Sequence, residues 1–459
     1  MIDLTTNPYY LTKDEIDYVY QQVNQMTVDE KIGQLFFVIG QDENTVNLDE
    51  FIDKYKPGGM MFRPGPAKDI KRQIKQIQSR SKYPLFFAAN LESGGNGIVN
   101  EGTWLGMPMQ MAATDNTDAA FQLGSIAGYE ANQVGCNMSF APIVDIDNNF
   151  RNPITNTRTF GSDPKRVLRM AQAQRKGLEE NQVIPVIKHF PGDGVDERDQ
   201  HLLSSINSLS ADDWSNTYGH IYKTFIDKGI STVMIGHIYQ PAWERKLQTG
   251  IKDQDLRPAS ASKLLINGLL RQELGFNGLA MTDATAMVGY NVILSREELL
   301  PATINAGVDM ILFNKNIDED YKAITTAVKT GVVSLERLDE AVTRILATKV
   351  SQKVLTTDGE LGITIPETLT LKTNEYQAIT ERIAKQSVTF PPSLKPPSSE
   401  SPRTIKRTRG VLAGEIGRRW SRSLTSVTDC LKKNSKKLVL TFRFIKWTST
   451  KCLKKVSLI

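Results

Sequence analysis

Eight short apolar runs alternate with segments of helical spacing through the first 315 residues, and this alternation limits the fold more than any other feature. The runs are 34–39, 59–62, 85–90, 137–144, 183–189, 232–237, 279–282 and 309–313. Each has the length and the Val, Ile, Leu, Phe content of a buried strand. Between them, 66–81 places Ile70, Ile74 and Ile77 on one helical face, and 119–133 reads as a second helix. A third, 260–274, carries Leu264, Leu265, Leu269 and Leu270 as an apolar stripe. Eight β/α units in about 350 residues match an α/β fold, the (β/α)8 TIM-type barrel. A doubly wound open sheet gives the same alternation. The first strand is not followed by G-x-G-x-x-G, which weakens a dinucleotide-binding version.

Polar side chains gather just past the ends of five runs: Asn90 and Glu92, Asp145 and Asp147, Lys188 and His189, His237, and Asp283. In a barrel these share the rim that carries active sites. Any one of them could simply cap the next helix; five together favour a site. The densest stretch is KHFPGDGVDERDQH, from Lys188 to His201. It combines a basic pair, a Pro-Gly-Asp-Gly turn, a charged loop able to close over a ligand, and Asp199 two residues before His201. An aspartate so placed can hold the imidazole, fix its tautomer and raise its basicity. Asp283 ends an apolar strand, so it can be a nucleophile, a metal ligand or a helix cap. With no second Asp, Glu or His at metal-ligand spacing, a metal is the weakest of the three.

The net charge of +5 conceals a division. Residues 391–459 hold 17 Lys/Arg against 3 Asp/Glu, while the preceding 390 hold 39 against 48. The acidic body gives no reason to expect nucleic-acid binding. The tail follows a Pro/Ser-rich linker and has no clear period. It fits a disordered basic arm, a membrane or nucleic-acid patch, or a reading-frame change near Thr389; the abrupt change of composition favours the last. The closing helix is expected at 334–352, capped by Ser334, and a further one at 375–386. Cys136, Cys430 and Cys452 are too widely spaced for a disulfide framework or a zinc site. Together with an N-terminus lacking a charged-then-apolar pattern and no apolar run near ~20 residues, they lead to the expectation of a cytoplasmic protein without a membrane anchor.

KHFPGDG followed by DQH resembles the signature of glycoside hydrolase family 3, in its β-N-acetylhexosaminidase branch, where KHFPGHG precedes an Asp-x-His pair. The stretches 26–37 (MTVDEKIGQLFF), 140–145 (FAPIVD), 156–164 (NTRTFGSDP), Gly236-His237 and 274–283 (LGFNGLAMTD) resemble the same family in order, across roughly residues 15–350. The β-glucosidase branch lacks the Asp-x-His loop. The resemblance implies a catalytic barrel over 1–352; the residues beyond it read as a helical connector over 353–390 and the basic tail over 391–459. It implies a retaining glycosidase releasing terminal β-linked N-acetylglucosamine, with Asp283 as nucleophile and His201, oriented by Asp199, as acid/base. Arg158, Lys188 and His189 match residues that bind sugar hydroxyls and the N-acetyl group, and His237 is a further candidate contact. The implied partner is a small amino-sugar glycoside from cell-wall muropeptides or chito-oligosaccharides. No cofactor, metal, nucleic acid or membrane is expected.

Two departures stand out. Asp193 occupies the second histidine of KHFPGHG. Asn90-Leu91-Glu92-Ser93-Gly94-Gly95 stands where D-Q-E-G-G-R is usual, so Asn90 replaces a sugar-binding aspartate and Glu92 is expected to take part of its role. These changes put the sugar and the aglycone in question. A phosphorylase using phosphate in place of water, and a sugar-binding barrel without activity, are the rival readings.

Overall fold

The eight apolar runs become eight parallel strands, most of them shorter than the runs themselves. The computed structural model describes residues 2–40 and 46–389. Ten strands occur there in chain order: β1 (Phe36–Ile39), β2 (Gly59–Met61), β3 (Phe86–Ala89), β4 (Met138–Ser139), β5 (Ile184–Phe190), β6 (Ser205–Ile206), β7 (Thr232–Ile235), β8 (Ile238–Tyr239), β9 (Leu279–Thr282) and β10 (Ile311–Leu312). Eight form one sheet in the order β10-β1-β2-β3-β4-β5-β7-β9. A parallel bridge between Met281 and Met310 joins its two ends, reinforced by Thr282 N–H donating to the Met310 carbonyl at 3.0 Å. The sheet is thus a nearly closed barrel ringed by helices, as the alternation predicted. Its strands are apolar on both faces: Phe37, Met60, Phe87, Ala88, Met138, Val186, Met234 and Met281 are all buried.

Local sequence explains most helix boundaries. Thr12, Thr27 and Ser295 each begin a helix with a capping box completed by Glu15, Glu30 and Glu298. The closing helix runs Leu335–Ser351, with Ser334 accepting from Arg337 N–H, and packs Leu338, Val342, Ile345 and Leu346 inward. The last described helix is Asn374–Gln386. Between them the chain is mainly non-helical, so the connector expected over 353–390 is helical only in its second part.

Three expectations are corrected. The run 137–144 is a regular strand only at Met138–Ser139; past it Ala141 and Val144 still bond β5 and Ile143 bridges Lys188, but Pro142 has no N–H for a ladder bond and the pairing is interrupted. The helix expected over 260–274 begins at Leu264; Ala259–Ala261 forms a separate single turn. Its winding is wider than an α-helix, and Leu265, Ile266, Leu269 and Leu270 are the buried set. The small parallel pair β6 and β8 was not foreseen; two-residue strands carry no periodic signal. Among the described residues no helix is long and apolar enough to cross a membrane. The basic stretch 391–459 lies outside the described residues.

Candidate active site

Chain direction puts Asn90 and Glu92 just past β3, Lys188 and His189 in the last residues of β5, and Asp283 one residue past β9. All therefore meet at the C-terminal rim. Glu92 Oε1 accepts from Lys188 Nζ at 2.7 Å and Arg158 Nη2 at 2.8 Å, while Oε2 accepts from Arg158 Nε at 2.8 Å. Burial acts to raise the Glu92 carboxyl, but Lys188 and Arg158 outweigh it and hold it well below the usual carboxylate range. Burial draws the Lys188 ammonium below its ordinary value, with Glu92 opposing. Lys188 also donates to Asn90 Oδ1 at 3.3 Å, so the residue that replaces the family aspartate still faces the cluster.

A second pair lies alongside. Asp145 Oδ2 sits 2.7 Å from His189 Nδ1, and its Oδ1 accepts from the His189 and Asp193 backbone N–H groups. A carboxylate on Nδ1 turns the His189 Nε2 edge toward Asp283, 3.9 Å from Oδ2. Burial acts to raise the Asp283 carboxyl; the opposing pull, led by His189 and aided by Ala284 N–H donating to Oδ1 at 2.7 Å, outweighs it and leaves the carboxyl below its ordinary value. Asp283 is therefore an ionised carboxylate whose side chain keeps 13% of its surface exposed. An anion held by hydrogen-bond donors on one side and open on the other can act as a nucleophile.

The turn that follows β5 depends on two glycines. Gly192 has φ 113° and Gly194 φ 103°, conformations that L side chains rarely adopt. A Cβ on Gly194 would lie 1.9 Å from the Ile146 carbonyl, and one on Gly192 would lie 2.2 Å from the Tyr218 ring. This turn leads to His201, whose backbone N–H and Nδ1 both meet Asp199 Oδ1, at 2.8 and 2.7 Å. The His201 side chain is 50% exposed, and Nδ1 is the ring nitrogen that Asp199 engages, which leaves Nε2 for proton transfer. The β6–β8 pairing and the bond from Val288 N–H to the His201 carbonyl (3.0 Å) tie the loop to the rim. His201 and Asp283 both lie close enough to His237 to perturb its charge.

His237 itself does not present a free polar atom. Its Nε2 donates to the Ala284 carbonyl at 3.1 Å, so Nδ1 accepts from Ser260 Oγ at 2.8 Å. Burial lowers it to about 4, keeping it neutral. His237, expected to contact ligand, is fully buried and has both ring nitrogens engaged within the protein, behind Asp283. Sequence reasoning passed over Gln200 and Asn152, both buried in this region. The position of Gln200 between Asp199 and His201 was the available signal. Among the described residues no group of three or more His, Cys, Asp or Glu is arranged to hold a metal ion.

A parallel barrel with an ionised aspartate, Asp-held imidazoles and a Lys–Glu–Arg cluster on its C-terminal rim belongs with the barrel enzymes that cleave glycosides. The chain is a member of glycosyl hydrolase family 3, whose N-terminal domain model matches residues 27–348. It is 42% identical to the β-N-acetylglucosaminidase/β-glucosidase of Cellulomonas fimi over 85% of this chain and 69% of that protein. It is 30% identical to β-hexosaminidase A of Pseudoalteromonas piscicida over 66% of this chain, but covers only 55% of that relative's length. Among solved structures it resembles the β-glucoside phosphorylase BglX bound to 2FGlc, with TM-score 0.81, 41% identity, and coverage of 87% and 72% of the two chains. Family membership makes the chain a glycosidase acting on carbohydrate.

Proposed function

We propose that the chain is a retaining glycosidase that removes terminal β-linked N-acetylglucosamine, with Asp283 as nucleophile and His201 as acid/base. The observation that carries this reading is that an ionised, part-open Asp283 and an imidazole whose Nδ1 is fixed by Asp199 both lie near His237 on one rim. In the first step an Asp283 oxygen attacks C1 as the C1–O bond breaks and His201 Nε2–H protonates the leaving oxygen. In the second, neutral His201 takes a proton from water as that water attacks C1, and Asp283 is released. Asp199 stabilises the imidazolium that stands before the first step and is regenerated by the second. Lys188, Arg158 and Glu92 offer donors and acceptors to sugar hydroxyls. The named relatives, a β-N-acetylglucosaminidase/β-glucosidase and a β-hexosaminidase, support this sugar. Cell-wall fragments and chito-oligosaccharides held within the cytoplasm are the proposed substrates.

One observation favours a second reading, phosphorolysis. An acid/base that is an imidazole does not repel an incoming anion as a carboxylate would, and Lys188 and Arg158 add positive charge nearby. The structural relative BglX is a phosphorylase. Trapping with a 5-fluoro sugar, followed by peptide mass spectrometry, tests the core of both readings: the adduct is expected on the peptide containing Asp283. An adduct elsewhere, with the enzyme turning over, sinks the assignment. Product analysis in phosphate then separates free sugar from glycosyl phosphate, and complete absence of turnover favours the inactive sugar-binding barrel.

A further inference from the structure

Asp193, the departure from the KHFPGHG pattern, is only 2% exposed. Its carboxylate accepts three hydrogen bonds. Oδ1 takes Asn152 Nδ2 at 2.9 Å and Gly194 N–H at 2.7 Å; Oδ2 takes Gln200 Nε2 at 3.2 Å. Gln200 is fully buried, and its Oε1 accepts from His237 N–H at 2.9 Å. On either side of it in sequence stand Asp199 and His201, whose side chains reach solvent. The two residues of the acid/base pair thus flank a buried amide whose N–H donates to Asp193.

We propose that Asp193 is a positioning residue, which through Gln200 fixes where the Asp199–His201 pair stands relative to Asp283. The proposal rests on the acid/base reading of His201 given above. Gln200 has one permitted orientation: its oxygen must face His237 N–H, so its NH2 must face an acceptor. A carboxylate has lone pairs for Gln200, Asn152 and Gly194 at once, whereas a neutral imidazole has one acceptor in total. The same residue links both halves of the site. Asp283 faces His189, His189 is held by Asp145, Asp145 accepts from the Asp193 backbone, and Asp193 holds Gln200.

Titration sharpens the test. Burial first, then the charge of Asp145, pushes the Asp193 carboxyl up to about 6, with His189 opposing. Tyr218 and Tyr222, which also face it, are raised well above their ordinary value by burial and stay neutral. Protonating Asp193 turns one acceptor into a donor among three donors. The acid/base pair is then less well held as the pH falls through about 6.

The experiment compares Asp193→Asn, Gln200→Ala, the double variant and the wild type on two aryl β-N-acetylglucosaminides. A phenyl leaving group needs protonation; a dinitrophenyl group does not. For phenyl, kcat/KM is expected to fall by about 30–100-fold in each single variant, and for dinitrophenyl by no more than about 3-fold. The double variant is expected to lose no more than either single one, because one chain of contacts is cut. The acid limb of the wild-type pH profile near 6 is expected to disappear in Asp193→Asn. Equal losses on both substrates, or additive losses in the double variant, overturn the proposal. If Asp193→Asn does not fold, Gln200→Ala decides by the same contrast between leaving groups. His201→Ala serves as the reference. If it shows the contrast and the Asp193 and Gln200 variants do not, this proposal alone fails. If neither His201→Ala nor the wild type behaves as an acid/base enzyme should, the acid/base reading fails and takes this proposal with it.

Discussion

At the N-terminal end of the barrel, Asp309 accepts from Arg271 and Arg337 at 2.9 Å and from Arg344 at 3.4 Å; at the C-terminal rim, Glu92 accepts from Lys188 and Arg158. Both are buried carboxylates bracketed by cations, and both are held ionised against burial. They differ in where the remaining donors go. At the floor, Arg271 also bonds the Gly278 and Gly307 carbonyls, and Arg337 those of Ile304 and Val308. The guanidinium groups staple the loops that enter β9 and β10. At the rim, the side chains beside the cluster stay partly open: Asp283 faces His189 at 3.9 Å, and His201 is half exposed. A charged cluster is structural when nearly all its donors end on the protein's own carbonyls, as at the floor; at the rim only Arg158 Nη1 does so, on Ile154 at 3.4 Å. It is a candidate site when some of its hydrogen-bonding capacity is left for another molecule.

Four substitutions test that difference. Asp283→Ala should lower turnover by about 10⁴-fold or more with thermal stability little changed, because its effect lies in covalent chemistry. Retained turnover would remove the rim from consideration as the site. Asp309→Asn should destabilise the fold by about 3–5 kcal/mol, leaving three buried guanidinium groups without their carboxylate. Chemical denaturation measures this, and an unchanged midpoint would mean that the floor cluster does not staple the barrel. Glu92→Gln should reduce kcat/KM by roughly 10–100-fold, the value of hydrogen bonds made by a charged group. A large loss of stability with unchanged kinetics would class it with the floor instead.

The smallest effect concerns Lys349, which burial lowers to about 7 and which donates to Gln34 Oε1 at 2.7 Å near the floor. Its folded pKa lies below the unfolded value, so between about pH 7 and 10.5 the unfolded chain binds more protons. Stability should therefore rise with pH across that window and should be lower below pH 7, where the buried amine must be charged. Between pH 7 and 9 the wild type should gain about 1–2 kcal/mol relative to Lys349→Met. A difference independent of pH would show that Lys349 is already charged in the folded state.

Much was readable from residues a few positions apart. The eight strands and the cap at Ser334 follow from local preference and periodicity. So does the Asp199–His201 contact, which spans two residues. The Gly192 and Gly194 turn is legible for the same reason. What only the tertiary structure decided spans large separations. Glu92 meets Arg158 across 66 residues and Lys188 across 96, and Asp145 meets His189 across 44. The closure between Met281 and Met310, the bonding of His237 to Ala284 and the three arginines on Asp309 belong to the same group. A histidine at a strand end reads the same in sequence whether its nitrogens face a sugar or, as the structure has them, a buried serine and a carbonyl. Backbone conformation is governed by neighbours in the chain. Which polar groups share a buried volume is governed by barrel closure, and burial then fixes who must bond to whom, because an unpaired polar group there costs more than a pair gains.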